Sequence, residues 1–374
     1  MDKRRIRPLW LIEAPDHSGM AIANLHLAVG MGRVGMVPAL FALRDGDNAA
    51  DFVAADCHPR IFPHLGWPLI GGSAAREALE TGVSLVHAIS LDLDRRGERL
   101  ARKLRVPLVA TANRLEEDEI RLAADFRGQL LVAVSDAIRE RLVNKAGVSR
   151  DRIRVIRNCL DLSRFPKPSF PEVVPNSGPQ AAVIGTFGRL AEKKGQRVFL
   201  QTAKLLIENG LDAEFLVLGD GPDRSALRNL ADELNISKRI TFTPKTVSGQ
   251  LARLDILVEP SLQEGLGMSV MQAMAMGVPV VASGVGGLYD LIDDGVTGIM
   301  VQANDPEALA RAILGLLDNP GQRLELARQA REKIEREFSC ELVAQELSAC
   351  YREVLDSFAG WGGGDAGTVH AFRS

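Results

Sequence analysis

Short apolar runs recur along the chain, each followed by a longer stretch with helical spacing. The pattern predicts strands at 8–12, 84–88, 108–111, 130–134 and 153–156 in the first half, and at 182–187, 214–219, 240–243, 256–259 and 278–282 in the second. Continuous apolar strands separated by ten-to-fifteen-residue helices imply parallel sheets covered on both faces. Between the two sets, five prolines fall within residues 166–179. Proline fixes φ and removes a donor, so this stretch predicts a linker rather than a helix or central strand. The expected plan is a first domain over 1–165, a linker over 166–180 and a second domain over 181–338. A closing helix over 339–358 is expected to pack back on the first domain, and a glycine-rich tail over 359–374 to be flexible. Two such α/β domains face a cleft, and ligands in open α/β sheets sit beyond the carboxyl ends of the strands.

Composition sharpens this picture only at a few points. A chain of 374 residues with 46% hydrophobic and 25% charged residues is that of a globular protein, and excludes collagen, disorder and a disulfide scaffold. Cys57, Cys159, Cys340 and Cys350 form no CxxC pair, so they read as reduced, buried thiols. The first apolar stretch, Leu9 to Ile12, is too short for a signal-peptide core, and no run reaches spanning length. A cytoplasmic location is expected. Residues 1–170 hold 26 Lys and Arg against 21 Asp and Glu, and residues 171–374 hold 19 against 27. The basic half suits an anionic ligand or membrane surface; the small excess and 5% aromatic content speak against nucleic acid.

The richest chemistry lies in 260–282. Here a strand ends, a turn carries Glu264, Gly265 and Gly267, and a helix begins at Met268 and Ser269. Free amides and the dipole at a helix start favour an anion such as a diphosphate. A carboxylate beside such a site makes sense if it meets sugar hydroxyls or a developing cation. The loop from Gly185 to Gly195 carries Gly188, Arg189, Lys193 and Lys194 after another strand, as a phosphate clamp would. An ordinary solvated basic loop is the alternative.

Residues of about 130–355 resemble the retaining glycosyltransferases of family four, with the GT-B architecture of two Rossmann-like domains facing an interdomain cleft. Asn158-Cys-Leu-Asp161, Gly188-Arg189-Leu with Lys194-Gly195, Gly219-Asp-Gly221-Pro, the Glu264 segment, and Gly286-Gly287 with Asp294-Gly295 follow the family order. The first ~80 residues match more weakly, through Ser18-Gly19-Met20 and His87. The resemblance implies a nucleotide-diphosphate sugar held by the second lobe and a saccharide or lipid-linked acceptor held by the first. It gives Arg189 and Lys194 the task of neutralising the donor diphosphate, places Glu264 by the transferred sugar, and makes His87 a catalytic candidate. Gly19, Gly188, Gly219, Gly221, Gly265, Gly267, Met268, Ser269 and Gln272 become donor-binding candidates. Gln272 stands where the family has a second acid, and Asp290 where it commonly has a glutamate. No metal or further cofactor is implied. A sugar-nucleotide epimerase of related plan, or a transferase that only binds, are the competing readings.

Weaker signals point elsewhere. Asp45-Gly-Asp47 and Asp92-Leu-Asp94 spell a metal–diphosphate motif of another transferase fold, but the first falls in a polar loop and the second opens a helix, where acids cap. Gly219-Asp-Gly221 is half a dinucleotide fingerprint, with Arg224 at the third glycine position. Residues 91–105 predict a basic amphipathic helix, which could rest on an anionic membrane or simply form a solvated face.

Overall fold

The computed structural model describes residues 6–63, 71–168, 170, 181–244 and 248–361. Most of the linker 166–180, and the tail from 362 on, lie outside the described residues. The first sheet is built from β1 (Pro8–Ile12), β2 (Ala39–Ala42), β3 (Pro59–Ile61), β4 (Leu85–Ala88), β5 (Leu108–Ala112), β6 (Leu130–Ala133) and β7 (Ile153–Val155). The second comprises β8 (Ala182–Phe187), β9 (Ala213–Leu218), β10 (Ile240–Thr243), β11 (Ile256–Glu259), β12 (Val280–Ser283) and β13 (Ile299–Val301). Their orders are β3-β2-β1-β4-β5-β6-β7 and β10-β9-β8-β11-β12-β13. Strand pairing is parallel throughout both. In each sheet the chain starts at a central strand, winds to one edge, returns, and winds to the other. The reversal leaves crevices at the carboxyl ends of β1/β4 and of β8/β11.

Strand periodicity explains the layers. Trp10 and Ile12 enter one core with Leu25 of helix Gly19–Arg33 and Tyr351 of helix Cys340–Trp361. Leu9 and Leu11 enter the other with Leu100 and Ile138, carried by helices Asp94–Leu104 and Asp136–Ala146. Successive side chains of a strand point to opposite faces, so an all-apolar run requires cover on both. Helix Asp94–Leu104 buries its leucines against this core. Its apolar stripe is therefore already used, and its exposed cations are Arg95, Arg99, Arg102 and Lys103. No helix among the described residues is long and apolar enough to cross a membrane.

The chain crosses back after the second sheet. The Leu160 amide donates to the Phe338 carbonyl at 2.9 Å, and the Cys340 amide donates to the Leu160 carbonyl at 2.9 Å. Helix Cys340–Trp361 then lies along helix Gly19–Arg33. The lobes also touch directly across the cleft. Lys193 pairs with Glu116. The Asp290 carboxylate accepts the Asp136 amide at 2.8 Å, at the start of helix Asp136–Ala146, and Arg157 Nε at 3.2 Å. Arg157 reaches Asp136 as well, at 2.7 Å. An acid at a helix N-terminus is favoured by the dipole, so Asp290 of the second lobe is matched to this end of the first.

Candidate functional site

Three loops of the second lobe meet at the carboxyl ends of β8, β9 and β11. The loops after β8 and β9 are zipped together: the Gly188 amide donates to Leu218 and the Leu190 amide to Asp220, both at 2.9 Å. This brings Gly188, Gly219 and Gly221 into one backbone surface. Arg189 projects from it with its side chain exposed, while its carbonyl accepts from Gln196 Nε2 at 3.0 Å. A short turn, Glu192–Lys194, follows and ends at Gly195.

Gly195 lets the β8 loop approach the β11 loop. Its φ is +67°, and a Cβ there would lie 1.9 Å from the Pro260 carbonyl oxygen. Any side chain would both strain the left-handed backbone and push the turn away. Held in place, the turn delivers Lys194 onto Glu264, to which its ammonium donates. Lys194 and Glu264 keep only 17% and 12% of their side chains exposed. A second left-handed glycine, Gly267 at φ +103°, caps helix Met268–Ala275. The first-turn amides of that helix have no intrahelical acceptor, an arrangement that favours an anion. Met268 opens the helix half-buried, and Gln272 stands one turn on, also half-buried. Ser269 points inward instead and donates to Glu259.

The first lobe closes the other side. Gly265 packs against the Asn113 backbone carbonyl, and Asn113 Nδ2 donates to the Ile89 carbonyl at 2.9 Å and reaches Met20 Sδ at 4.0 Å. Gly19, beside Met20, begins helix Gly19–Arg33 behind the Ser18 cap, and nothing lies within 4 Å of where its Cβ would be. The structure thus gathers Arg189, Lys194, Glu264, Gly265 and Gly267 on one lobe, with the Gly19 loop reached through Asn113 and Met20 on the other.

Charge explains how these groups are poised. Burial alone would lower the Lys194 pKa, but the Glu259 and Glu264 carboxylates outweigh it and hold the ammonium above its usual range. Glu259, fully buried at the end of β11, is pushed up by burial, with Lys194 acting against that and Glu264 adding to it. Glu259 is not among the residues expected from the sequence to act here; its signal is an acid closing an otherwise Ile-Leu-Val run just before Pro260-Ser261.

His87 does not join this group. It is buried in β4, with Nδ1 2.6 Å from the Tyr351 hydroxyl and Nε2 2.7 Å from the Thr111 hydroxyl. Trp10 Nε1 donates to the same Tyr351 oxygen at 2.9 Å. Tyr351 can therefore give its own proton to His87 Nδ1, leaving Nε2–H to donate to Thr111. Burial lowers the His87 pKa to about 3, so the ring is neutral and has no nitrogen left for a ligand. The aspartate pairs are also engaged locally: Asp45 accepts the Gly46 amide, Asp92 meets Arg114 at 3.1 Å, and Asp94 opens its helix. Among the described residues no group of three or more His, Cys, Asp or Glu is placed to hold a metal ion.

This arrangement of sheets and loops is that of the GT-B glycosyltransferases. The Anabaena HepE protein, solved in complex with UDP and glucose, superposes with a TM-score of 0.80 at 19% identity, over 93% of this chain and 100% of that one. Both halves of the chain match glycosyltransferase families. Residues 17–164 match the model of Glycosyltransferase Family 4, and residues 181–319 that of Glycosyl transferases group 1. Among relatives, a D-inositol 3-phosphate glycosyltransferase of Corynebacterium efficiens is 28% identical over 92% of this chain and 93% of its own length. A putative colanic acid biosynthesis glycosyltransferase of Escherichia coli is 31% identical over 60% of this chain and 56% of its own. The chain spans about half the length of several curated relatives it matches.

Proposed function

We propose that the chain is a retaining glycosyltransferase that moves a sugar from a nucleotide-diphosphate donor to a saccharide or lipid-linked acceptor, in the building of a polysaccharide, lipopolysaccharide or glycolipid. The observation that carries this reading is the Lys194–Glu264 pair, set at the carboxyl ends of β8 and β11 beside the open N-terminus of helix Met268–Ala275. In the proposed complex the diphosphate lies between Arg189, Lys194 and the amides of Gly267 and Met268. Charge that develops on the leaving diphosphate is met by groups already in place, which need not reorganise during reaction. Glu264 lies by the transferred sugar, and the donor reaches over the Gly188–Gly221 surface. Gly19 approaches from the first lobe, and Gln272 meets the donor farther from the reacting bond. The acceptor enters from the first lobe, and lobe closure through Asp290 and Lys193 excludes water. No metal or further cofactor has a part. The exposed Arg95, Arg102 and Lys103 support contact with anionic membrane by charge alone.

The test is a panel of nucleotide sugars, beginning with UDP-glucose, offered with and without saccharide and lipid-linked acceptors. Acceptor-dependent nucleotide release with retained anomeric configuration is expected. Donor isomerisation without acceptor would favour an epimerase, and binding without turnover a protein that only binds. Arg189→Ala should weaken donor binding, while Glu264→Ala should mainly lower turnover.

A further inference from the structure

The floor of the site holds an acid that the proposed reaction does not use. Glu259 is 1% exposed, and a strand interior has no need of it: Ile256, Leu257 and Val258 precede it and Ala282 sits opposite on β12. Its Oε1 accepts from the Ser261 hydroxyl at 2.6 Å and its Oε2 from the Ser269 hydroxyl. Ser261 Oγ also lies 3.4 Å from Glu264, but it has one proton to give and the nearer acceptor is Glu259. The Lys194 ammonium, bonded to Glu264, stands 3.8 Å from Glu259 Oε1. The charged groups acting on Glu259 are thus Lys194, from the turn after β8, and Glu264, from the loop after β11; helix Met268–Ala275 contributes the neutral Ser269. One ammonium faces two carboxylates, so the cluster has one negative charge in excess when all three are ionised.

We infer that Glu259 is a positioning residue for Lys194: it holds the ammonium against the floor of the site, and it takes a proton from solvent when a donor diphosphate brings further negative charge to that lysine. This rests on the proposed role of Lys194 as a diphosphate ligand. Glu264 keeps 12% of its side chain exposed, whereas Glu259 is sealed behind two hydroxyls. When the carboxylate becomes an acid, the hydroxyl beside its O–H can turn to accept while the other still donates to the remaining oxygen, so the protonated form also keeps its hydrogen bonds. Binding would then be tighter at lower pH, by at most about tenfold per pH unit over the range where Glu259 is ionised in the free protein. Glu259→Gln keeps the shape and removes the charge.

Two arms test this. Without ligand, the Lys194 ε-carbon is titrated by ¹³C NMR; the lysine should lose its proton at lower pH in Glu259→Gln, and an identical titration would overturn the positioning role. With UDP-glucose, calorimetry in two buffers of different ionisation enthalpy counts protons. Wild type should take up as much as one proton per ligand, and Glu259→Gln none; equal uptake in both overturns the coupling. If Lys194→Gln binds UDP-glucose as wild type does, the diphosphate role of Lys194 fails and the proton coupling with it, while the first arm still decides the positioning role. The first arm also decides it if wild type does not bind UDP-glucose. Should Glu259→Gln not fold, Ser269→Ala serves. It strips one donor from the ionised carboxylate, so the pH midpoint of the cluster should rise, and an unmoved midpoint would refute the account.

Discussion

Gly195→Ala tests how tightly the site depends on the approach of two loops. Two effects are expected, and a matched control separates them. The first is backbone strain: an L-residue at φ +67° costs about 1–2 kcal/mol relative to glycine. The second is a clash, because the new Cβ would lie 1.9 Å from the Pro260 carbonyl oxygen. Ordinary contact lies well beyond that distance, so the turn must retreat by about 1 Å or more, and Lys194 moves off Glu264 with it. A misplacement of about 1 Å at a catalytic group can lower turnover about 100-fold. Gly147 has the same backbone, φ 67° and ψ 20°, with nothing within 4 Å of its Cβ position. Gly147→Ala should therefore show the strain in urea unfolding and leave turnover within about twofold. Steady-state kinetics with the donor that wild type uses, together with urea unfolding of both variants, give the comparison. If Gly195→Ala lost no more activity than Gly147→Ala, the claim that this contact sets the lysine would be wrong.

Other perturbations test the surrounding frame. Tyr351→Phe leaves the Trp10 N–H and His87 Nδ1 buried without a partner, each worth about 1–3 kcal/mol; urea unfolding should show a loss of about 2–4 kcal/mol with donor affinity unchanged. The folded His87 pKa of about 3 lies below its unfolded 6.5, so its contribution is fully present above pH 6.5 and is lost as pH falls towards 3. The slope is about 1.4 kcal/mol per pH unit, and His87→Gln should remove that slope from unfolding free energies measured across this window. Asp290→Ala removes the bonds to Asp136 and Arg157 between the lobes. Donor hydrolysis without acceptor should rise several-fold in it, and unchanged hydrolysis would show that this contact does not govern closure.

Much of this architecture is readable one segment at a time. Ten of the thirteen strands described here coincide with apolar runs, because a strand covered on both faces must be apolar throughout. The three strands not expected from the sequence are β2, β3 and β13. β2 and β13 are short apolar runs as well, Ala-Leu-Phe-Ala and Ile-Met-Val, whereas β3 is a largely exposed edge strand of three residues beginning with Pro59, which pairing rather than composition defines. Arg189, Lys194 and Glu264 are legible because loops after parallel strands carry their glycines and charges in short, continuous strings. The Asp136–Arg157–Asp290 contact is not, since its members come from different lobes. Nor is the His87 environment: Tyr351, which occupies one ring nitrogen, lies 264 positions away. Glu259 hid in plain view as the last residue of a strand, where only its partners Ser261, Ser269 and Lys194 reveal a task.

Where the diphosphate binds decides the matter, and a crystal structure of the protein with a bound nucleotide-sugar donor would reveal it. The diphosphate oxygens should lie within hydrogen-bonding distance of Lys194 Nζ, the Arg189 guanidinium and the amides of Gly267 or Met268, with the sugar beside Glu264. A diphosphate bound elsewhere, with Lys194 still held by Glu264 and Arg189 in solvent, would contradict the account.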